Sequence, residues 1–261
     1  MNKQAIWGIT LRHLYLLRHD VNRWINLFFW PLVNVIIWGT MGIWIQRNSQ
    51  SPHIQLTMLT GIILWEIVNK STNELSLTLL EELWSSNLVN LFASPLRFSE
   101  WLIGSIYYAG ISVLFLIVYV FIIIALLYPS SLGSVALSLL IFSLPLFISG
   151  LFLGFISMSF IITLGKRAGE IAYITAWLAA PFCGVFYPRE ILPLWAQHIG
   201  SWIPMTWIIE GMRSYLTHGS NPFMNIIIGC CMGIIYDTIA LILLAYLFKK
   251  SKKHGLNRLS D

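Results

Sequence analysis

Long apolar runs alternate with short polar stretches along most of the chain. The four longest runs cover residues 24–45, 101–128, 134–164 and 223–248. A helix needs about 20 predominantly apolar residues to cross the hydrocarbon core of a bilayer. The pattern therefore predicts an all-α polytopic membrane protein.

Two weaker runs complete the predicted bundle. One begins near Ile54 and meets the polar stretch 69–74, and the other, at residues 171–187, is short. If the chain crosses six times with both ends inside, twelve Lys and Arg residues lie inside and three outside, with Lys70 in the membrane. Without the second span the two basic ends would lie on opposite faces, against the positive-inside rule. The sequence therefore predicts six transmembrane helices with cytoplasmic N- and C-termini.

The composition agrees with a surface covered by lipid. The 261 residues are 57% hydrophobic and 10% charged, whereas a soluble domain carries about 25% charged residues. The formal net charge of +5 comes from basic residues at the ends of apolar runs, which is typical of membrane anchoring and not of nucleic-acid binding. We predict a single membrane domain over residues 1–261, with an interfacial helix (1–23), a six-span bundle (24–248) and a basic cytoplasmic tail (249–261).

The second span carries a stripe of charged side chains. Glu66, Lys70 and Glu74 are spaced four residues apart and therefore share one helical face. Opposite charges at this spacing attract and lower the cost of burial. The stripe either faces a bundle interior, a dimer seam or a water-filled path, or belongs to a half-helix that protrudes from the membrane.

A cytoplasmic amphipathic helix is predicted directly after this span. At about 100° per residue, its apolar side chains share one face. They are Leu80, Leu83, Trp84, Leu88 and Leu91. The Ala-Ser-Pro sequence at residues 93–95 closes the helix. By periodicity alone, this could be any helix at a membrane interface.

Residues 188–221 fit neither a regular span nor a simple loop. The segment contains three prolines and three tryptophans, which are Pro188, Pro193, Pro204, Trp195, Trp202 and Trp207. This composition predicts short helices dipping into the outer leaflet, because tryptophan prefers the interface and non-helical backbone there must pack against protein. A membrane-skimming aromatic anchor without a gating role fits equally well.

One acidic residue, Asp237, lies near the middle of the last span. A carboxylate at this depth costs about 2.5–3.5 kcal/mol on insertion scales. Asp237 should therefore face protein, and we favour a structural hydrogen bond over a role in a translocation path.

The sequence contains no recognisable catalytic or nucleotide-binding motif. Gly165 and Lys166 do not form a phosphate-binding loop, since Phe160 stands where its first glycine is required. A metal-binding His-Glu helix and a nucleophile elbow are also lacking. The three cysteines lie in apolar stretches without metal or disulfide spacing. We expect a transport subunit that is not an enzyme and holds no cofactor itself.

Three segments resemble the permease subunits of ABC-2 type bacterial ABC exporters. Residues 81–96, which begin with two glutamates and end in Ala-Ser-Pro-Leu, are similar to the family's cytoplasmic stretch. Residues 184–213, from Gly-Val-Phe-Tyr-Pro to Glu-Gly-Met-Arg, resemble its outer re-entrant signature. Residues 23–32 look like the start of its first span.

The resemblance implies one half of an exporter in a bacterial inner membrane. Two copies of this chain, or one copy and a sister permease, would work with two separate ATP-binding subunits that hold ATP and Mg. Residues 80–92 would form the coupling helix that docks on the ATPase. The side chains implied in this docking are Leu80, Glu81, Glu82, Leu83, Trp84, Leu88 and Leu91.

The resemblance also implies an outer gate and an interfacial connecting helix at residues 1–23. A pair of re-entrant helices would close the exit of the path. The residues implied in this gate are Gly184, Phe186, Tyr187, Pro188, Pro193, Pro204, Glu210 and Arg213.

A six-helix secondary transporter or channel without an ATPase is the alternative. It predicts inverted repeats and several intramembrane acids, whereas the sequence shows no clear repeat and few such acids. An integral-membrane enzyme is a third class, and it would need a convergent cluster of catalytic side chains. The residues do not identify the substrate, nor do they distinguish a homodimer from a heterodimer.

Overall fold

The computed structural model describes residues 2–19, 21–48 and 53–253. Within these residues the chain forms helices and connecting turns and no β-strand. The helices are α1 (Lys3–His19), α2 (Val21–Trp24), α3 (Trp30–Asn48), α4 (Ile54–Trp84), α5 (Leu88–Ala93), α6 (Phe98–Leu127), α7 (Leu132–Leu164), α8 (Gly169–Ala179), α9 (Leu194–Ser201), α10 (Pro204–His218) and α11 (Phe223–Lys253). A π-helical turn, Ile25–Phe29, joins α2 to α3.

Four helical segments among the described residues are long and apolar enough to cross a membrane. They are Ile25–Asn48, Phe98–Leu127, Pro129–Leu164 and Phe223–Lys253. They coincide with the four longest apolar runs of the sequence. The prediction of an all-α membrane protein is confirmed, whereas the count of six spans remains a prediction.

The helix α4 lies at the centre of the bundle although it is too polar to count among those four. It packs against α3, α6, α7, α8 and α10, and most of its side chains are buried. Its 31 residues extend about 46 Å at 1.5 Å per residue, which exceeds a hydrocarbon core of about 30 Å. Protein rather than lipid surrounds α4, and this explains why its hydropathy is low.

The contact between α4 and α7 depends on glycine. A Cβ atom on Gly150 of α7 would lie only 2.0 Å from the Ser71 Oγ of α4. A Cβ atom on Gly154, one turn later, would lie 2.9 Å from Leu75 Cδ1. The close approach also lets the Thr72 hydroxyl donate to the Gly150 carbonyl at 3.1 Å. Small residues serve the same purpose in other membrane helix pairs, because they let backbones approach.

The N-terminal helix α1 packs along the first turns of α6. The Thr10 hydroxyl donates to the Gly104 carbonyl at 3.1 Å, and a Cβ on Gly104 would lie 2.9 Å from the Ile6 carbonyl oxygen. Trp7 and Tyr15 are exposed. One face of α1 thus packs against the bundle, while the aromatic side chains of Trp7 and Tyr15 stay exposed on the protein surface.

Two predicted helices have different bounds in the structure. The helix predicted over residues 80–92 is two helices, because α4 continues to Trp84 and α5 begins only at Leu88. Ser86 interrupts the helix with a φ of 52°, which a regular helix excludes. The span predicted over residues 171–187 is helical only as α8, whose 11 residues end at Ala179.

Candidate functional site: a polar cavity and the charged end of α4

A cavity of about 420 Å³ lies beside α4. The π-helical turn with its two flanking helices forms one wall, and α8 forms the other. The lining residues are Arg23, Asn26, Trp30, Asn34, Glu66, Asn69, Lys70, Asn73, Glu74, Leu77, Tyr173, Ile174 and Trp177. The volume falls within the range of sites for small ligands.

The charged stripe predicted in α4 lies on the floor of this cavity. Lys70 Nζ is 2.6 Å from Glu74 Oε1, and their side chains are only 8% and 3% exposed. Glu66 Oε1 accepts a hydrogen bond of 2.6 Å from Asn34 Nδ2. All three side chains are buried and line the cavity, and a role of the stripe in a path remains a prediction.

Amide and aromatic side chains complete the cavity. Asn69 and Asn73 are half-buried on the floor, and Trp30 and Trp177 stand exposed on opposite walls. Amides can donate and accept hydrogen bonds, and indole rings offer apolar faces. This surface is suited to binding. The described residues contain no cluster of metal-ligating side chains.

A second polar cluster surrounds the carboxyl end of α4. Arg23, which is 4% exposed, forms an ion pair with Glu81. Its guanidinium also donates to the His13 carbonyl oxygen at 3.3 Å and to the Tyr108 hydroxyl. One side chain therefore ties α2 to α1, α4 and α6.

The neighbouring Glu82 forms a parallel connection to α1. Arg12 Nη2 donates to Glu82 Oε2 at 3.0 Å, and Asn87 Nδ2 donates to the same oxygen at 2.9 Å. The Glu82 side chain is fully buried, whereas Arg12 is partly exposed. Two ion pairs thus fix the end of α4 against the N-terminal segment.

The ionisation of Glu81 reflects these contacts. Glu81 lies about 40 Å along α4 from Ile54, beyond the length that a bilayer core can cover. Burial raises the pKa of its carboxyl group, but interactions with His13 and the charge of Arg23 lower it by more. The pKa of Glu81 therefore lies below its ordinary value, and the carboxylate is ionised at neutral pH.

The predicted apolar docking residues divide into two groups. Leu80, Leu83 and Leu88 are buried within this chain, where they continue the core beneath α4 and α5. Leu91 is half-buried, whereas Trp84 is 49% exposed. Of these five, Trp84 alone offers a large apolar surface to another molecule.

The segment predicted as an outer gate is held together by Arg213. Its guanidinium donates to the Gly184 carbonyl at 2.6 Å and to the Tyr187 carbonyl at 2.8 Å. Gly184 has a φ of 68°, a conformation that favours glycine. A second pair, Arg189 and Glu210, has an N–O distance of 3.5 Å. These contacts join the turn after α8 to α10.

The prolines of this segment mark where structure begins. Pro188 precedes a short 3-10 turn, Pro193 precedes α9, and Pro204 is the first residue of α10. Proline suits these places because its fixed φ favours a first turn and its missing N–H is not needed there. Phe186 stacks on Trp38 of α3 with ring centroids 4.5 Å apart.

The turn after α8 also contacts α4 directly. A Cβ on Gly61 would lie 2.6 Å from the Val185 carbonyl oxygen. The amino half of α4 therefore touches the segment predicted as an outer gate, while its remaining turns carry the cavity floor and the charged end.

Asp237 is half-buried in α11. Its Oδ1 atom is buried and accepts no hydrogen bond from the part of the chain that the structure describes. The hydrogen bond favoured for Asp237 is therefore not made by this oxygen.

From the sequence, Arg23 is only a basic residue at the start of the first span, and no role is predicted for His13 or Tyr108. Arg23 is 10 residues from His13, 58 from Glu81 and 85 from Tyr108 along the chain, so no helical periodicity reveals this cluster. Trp30 and Trp177 were likewise missed, because exposed tryptophans are frequent throughout this membrane chain. The internal spacing of Glu66, Lys70 and Glu74 was the only signal of the cavity.

Apolar spanning helices around a buried polar helix define a multi-pass α-helical membrane protein. The sequence profile of the ABC-2 type transporter family matches residues 7–217, which is most of the chain. The chain therefore belongs to the ABC-2 type transporter family and is a permease of an ABC transport system. The family predicted from the three sequence segments is confirmed. A search of curated proteins gave no match.

Proposed function

We propose that this chain is the permease of an ATP-driven exporter, that it acts as a dimer, and that separate ATP-binding subunits drive it. The observation that carries the proposal is the continuity of α4. One face of this helix forms the floor of the polar cavity, and its end carries two ion pairs and the exposed Trp84. A single helix thus extends from a ligand-sized cavity to a surface that a partner can reach.

In the proposed topology the chain crosses a bacterial inner membrane six times, with both ends cytoplasmic. The length and burial of α4 support its inclusion, because charged side chains are tolerated in a membrane when they face protein. The fifth span, predicted over residues 171–187, would combine α8 with the following turn. Cys183 and Val185 in that turn are buried, as non-helical backbone at membrane depth requires.

The contact with the ATPase is proposed at the turn between α4 and α5. Trp84 and the polar residues 85–87 would enter the partner. Leu80, Leu83 and Leu88 instead stabilise the fold that presents them, since they are buried within the chain. Glu81 and Glu82 hold the turn in place through Arg23 and Arg12.

The segment from Gly184 to Arg213 is proposed as the outer gate. The hydrogen bonds of Arg213 within the segment support its movement as one unit. Its close contact with Gly61 supports movement together with α4. A second permease beside α3 and α8 would cover Trp30 and Trp177 and close the cavity into a path. ATP binding would favour the outward-open arrangement only if ATP binds that state more tightly.

Affinity purification of the tagged chain in mild detergent tests this proposal. We expect an ATP-binding subunit to co-purify in a ratio of about one to one, with two permeases per complex. Crosslinking in intact membranes before extraction controls for loss of a weakly held subunit.

The opposite result would favour the alternative function. If crosslinked membranes yield only a homo-oligomer, the chain does not depend on an ATPase, and a six-helix secondary transporter or channel becomes the better description. A purified complex would also allow substrates to be screened by stimulated ATP hydrolysis.

A further inference from the structure

Arg23 occupies an unusual place between the two polar regions of the protein. It is buried at the junction between α1 and the first apolar span, and it also lines the cavity. Its partners belong to α1 (His13), α4 (Glu81) and α6 (Tyr108). The ring of Tyr108 lies 5.2 Å from the guanidinium carbon.

A buried guanidinium is sensitive to the relative positions of its partners. Arginine has five N–H donors in a rigid plane, and losing one partner of a buried charge is costly because the charge is left uncompensated. A shift of the α4 end relative to α1 or α6 would therefore disturb the contacts of Arg23 with all three helices. Lysine, a flexible point charge, cannot reproduce this geometry.

The same side chain also belongs to the cavity lining. Arg23 lines the cavity together with Glu74, in addition to its ion pair with Glu81. Glu74 and Glu81 are seven residues apart and therefore lie on one face of α4, two turns from each other. Arg23 thus shares the cavity lining with one carboxylate and forms an ion pair with another at the end of the helix.

We propose that Arg23 is a positioning residue that links movement of the α4 end to the shape of the cavity. This inference rests on the proposed function, in which an ATPase acts on the α4 end. When nucleotide binding displaces that end, the Arg23–Glu81 pair changes its geometry and the guanidinium moves the cavity floor with it. Neither Arg12 nor Glu82 is among the residues that line this cavity, and in the proposal their ion pair only anchors the helix.

The experiment measures cavity accessibility in the full chain co-expressed with its ATPase. The native Cys183, Cys230 and Cys231 are replaced by serine, and Asn69→Cys introduces one thiol on the cavity floor. A membrane-impermeant thiol reagent is applied to permeabilised vesicles, and its reaction rate is compared with and without a non-hydrolysable ATP analogue. We expect nucleotide to change the rate by at least about fivefold, the lower end of common allosteric coupling.

The decisive comparison is between Arg23→Lys and Arg12→Lys. We expect Arg23→Lys to abolish the nucleotide-dependent change in labelling while ATP binding is retained, and Arg12→Lys to preserve it. Glu81→Gln provides a second variant that should match Arg23→Lys. Equal nucleotide responses in all of these variants would overturn the proposal.

Failure of the proposed function would look different. If nucleotide has no effect on labelling in the parent background itself, the ATPase does not act on this cavity, and both proposals fall together. If the parent responds and Arg23→Lys responds equally, only the role of Arg23 is rejected. If Arg23→Lys does not assemble, the response of Glu81→Gln decides.

Discussion

At the scale of single residues, charge burial is the main feature of this membrane protein. Lys70 and Glu74 are almost inaccessible to solvent and form an ion pair with each other. Glu66 accepts a hydrogen bond from Asn34. Such pairs contribute little net stability, because desolvation offsets most of the attraction, yet removal of one partner is costly. The charges of α4 are therefore better explained by a role in the cavity than by a role in stability.

Single and double substitutions of the Lys70–Glu74 pair test this explanation. Lys70→Met should destabilise the protein by about 3–5 kcal/mol, because it removes the ion-pair partner of the buried Glu74. The double variant Lys70→Met with Glu74→Met should recover most of the loss. Melting temperatures of detergent-solubilised protein measure both effects. A double variant as unstable as the single one would contradict the expectation.

Glu81 provides a test that depends on pH. Its pKa is lower in the folded protein than its ordinary value, so its contribution to stability is present above about pH 5 and is lost as the pH falls through the folded pKa. We expect the parent to melt at a higher temperature than Glu81→Gln at neutral pH and the difference to shrink on acidification. A difference that is constant with pH would show that the ion pair is not responsible.

At the scale of elements, the close contact of α4 with α7 determines how the core is built. Gly150 leaves no space for a side chain beside Ser71. In contrast, Gly133 near the start of the same helix has open space around it. The two positions therefore form a matched pair for testing whether this helix contact is tight.

We expect Gly150→Val to destabilise the protein by about 1–3 kcal/mol through overpacking. Gly133→Val introduces the same side chain in α7 and should change stability by far less. Thermal melting followed by size-exclusion chromatography measures both variants. Equal losses would mean that the effect does not arise from the contact of Gly150 with α4.

The turn between α4 and α5 gives a second test at this scale. Trp84→Ala should leave folding and membrane insertion intact, because half of this side chain is exposed, but it should weaken stimulation of the ATPase. Leu83→Ala should instead destabilise the fold by about 2–5 kcal/mol, since Leu83 is only 1% exposed. Purified yield and ATP hydrolysis separate the two effects. Normal ATPase stimulation in Trp84→Ala would remove this turn from the proposed docking surface.

At the scale of the whole molecule, sequence patterns predicted the helices that lipid surrounds better than those that protein surrounds. The four apolar runs appear as spanning helices, because contact with lipid demands hydrophobicity along their length. The polar α4 could be inferred only from the distribution of basic residues. The interruption at Ser86 and the short α8 were not predicted, since tertiary packing decides where each helix ends.

The candidate site was predictable only where its residues lie close together in the sequence. Glu66, Lys70 and Glu74 repeat within one helix, so local spacing brings them together. Arg23 meets Glu81 and Tyr108 only after three distant segments pack, and a single sequence carries no signal for that. The buried state of Leu80 and Leu83 was hidden because a face that packs inside a protein has the same periodicity as one that docks on a partner.

The proposed six-span topology makes a prediction for the complete chain. Tags placed at the N-terminus and at the C-terminus should be cleaved by protease from the same side of the membrane. Inverted and right-side-out vesicles distinguish the two sides. Tags on opposite sides would mean that either α4 or the segment containing α8 fails to cross.

The burial of α4 also has a consequence for how the protein is synthesised. The helix α8, which forms one wall of the cavity around Glu66, Lys70 and Glu74, follows α4 in the chain, so α4 leaves the ribosome before this wall exists. Each charge at the bilayer centre costs about 2.5–3.5 kcal/mol on insertion scales. Stable integration of α4 must therefore wait for later helices, and a nascent chain that stops before α7 should leave α4 outside the lipid.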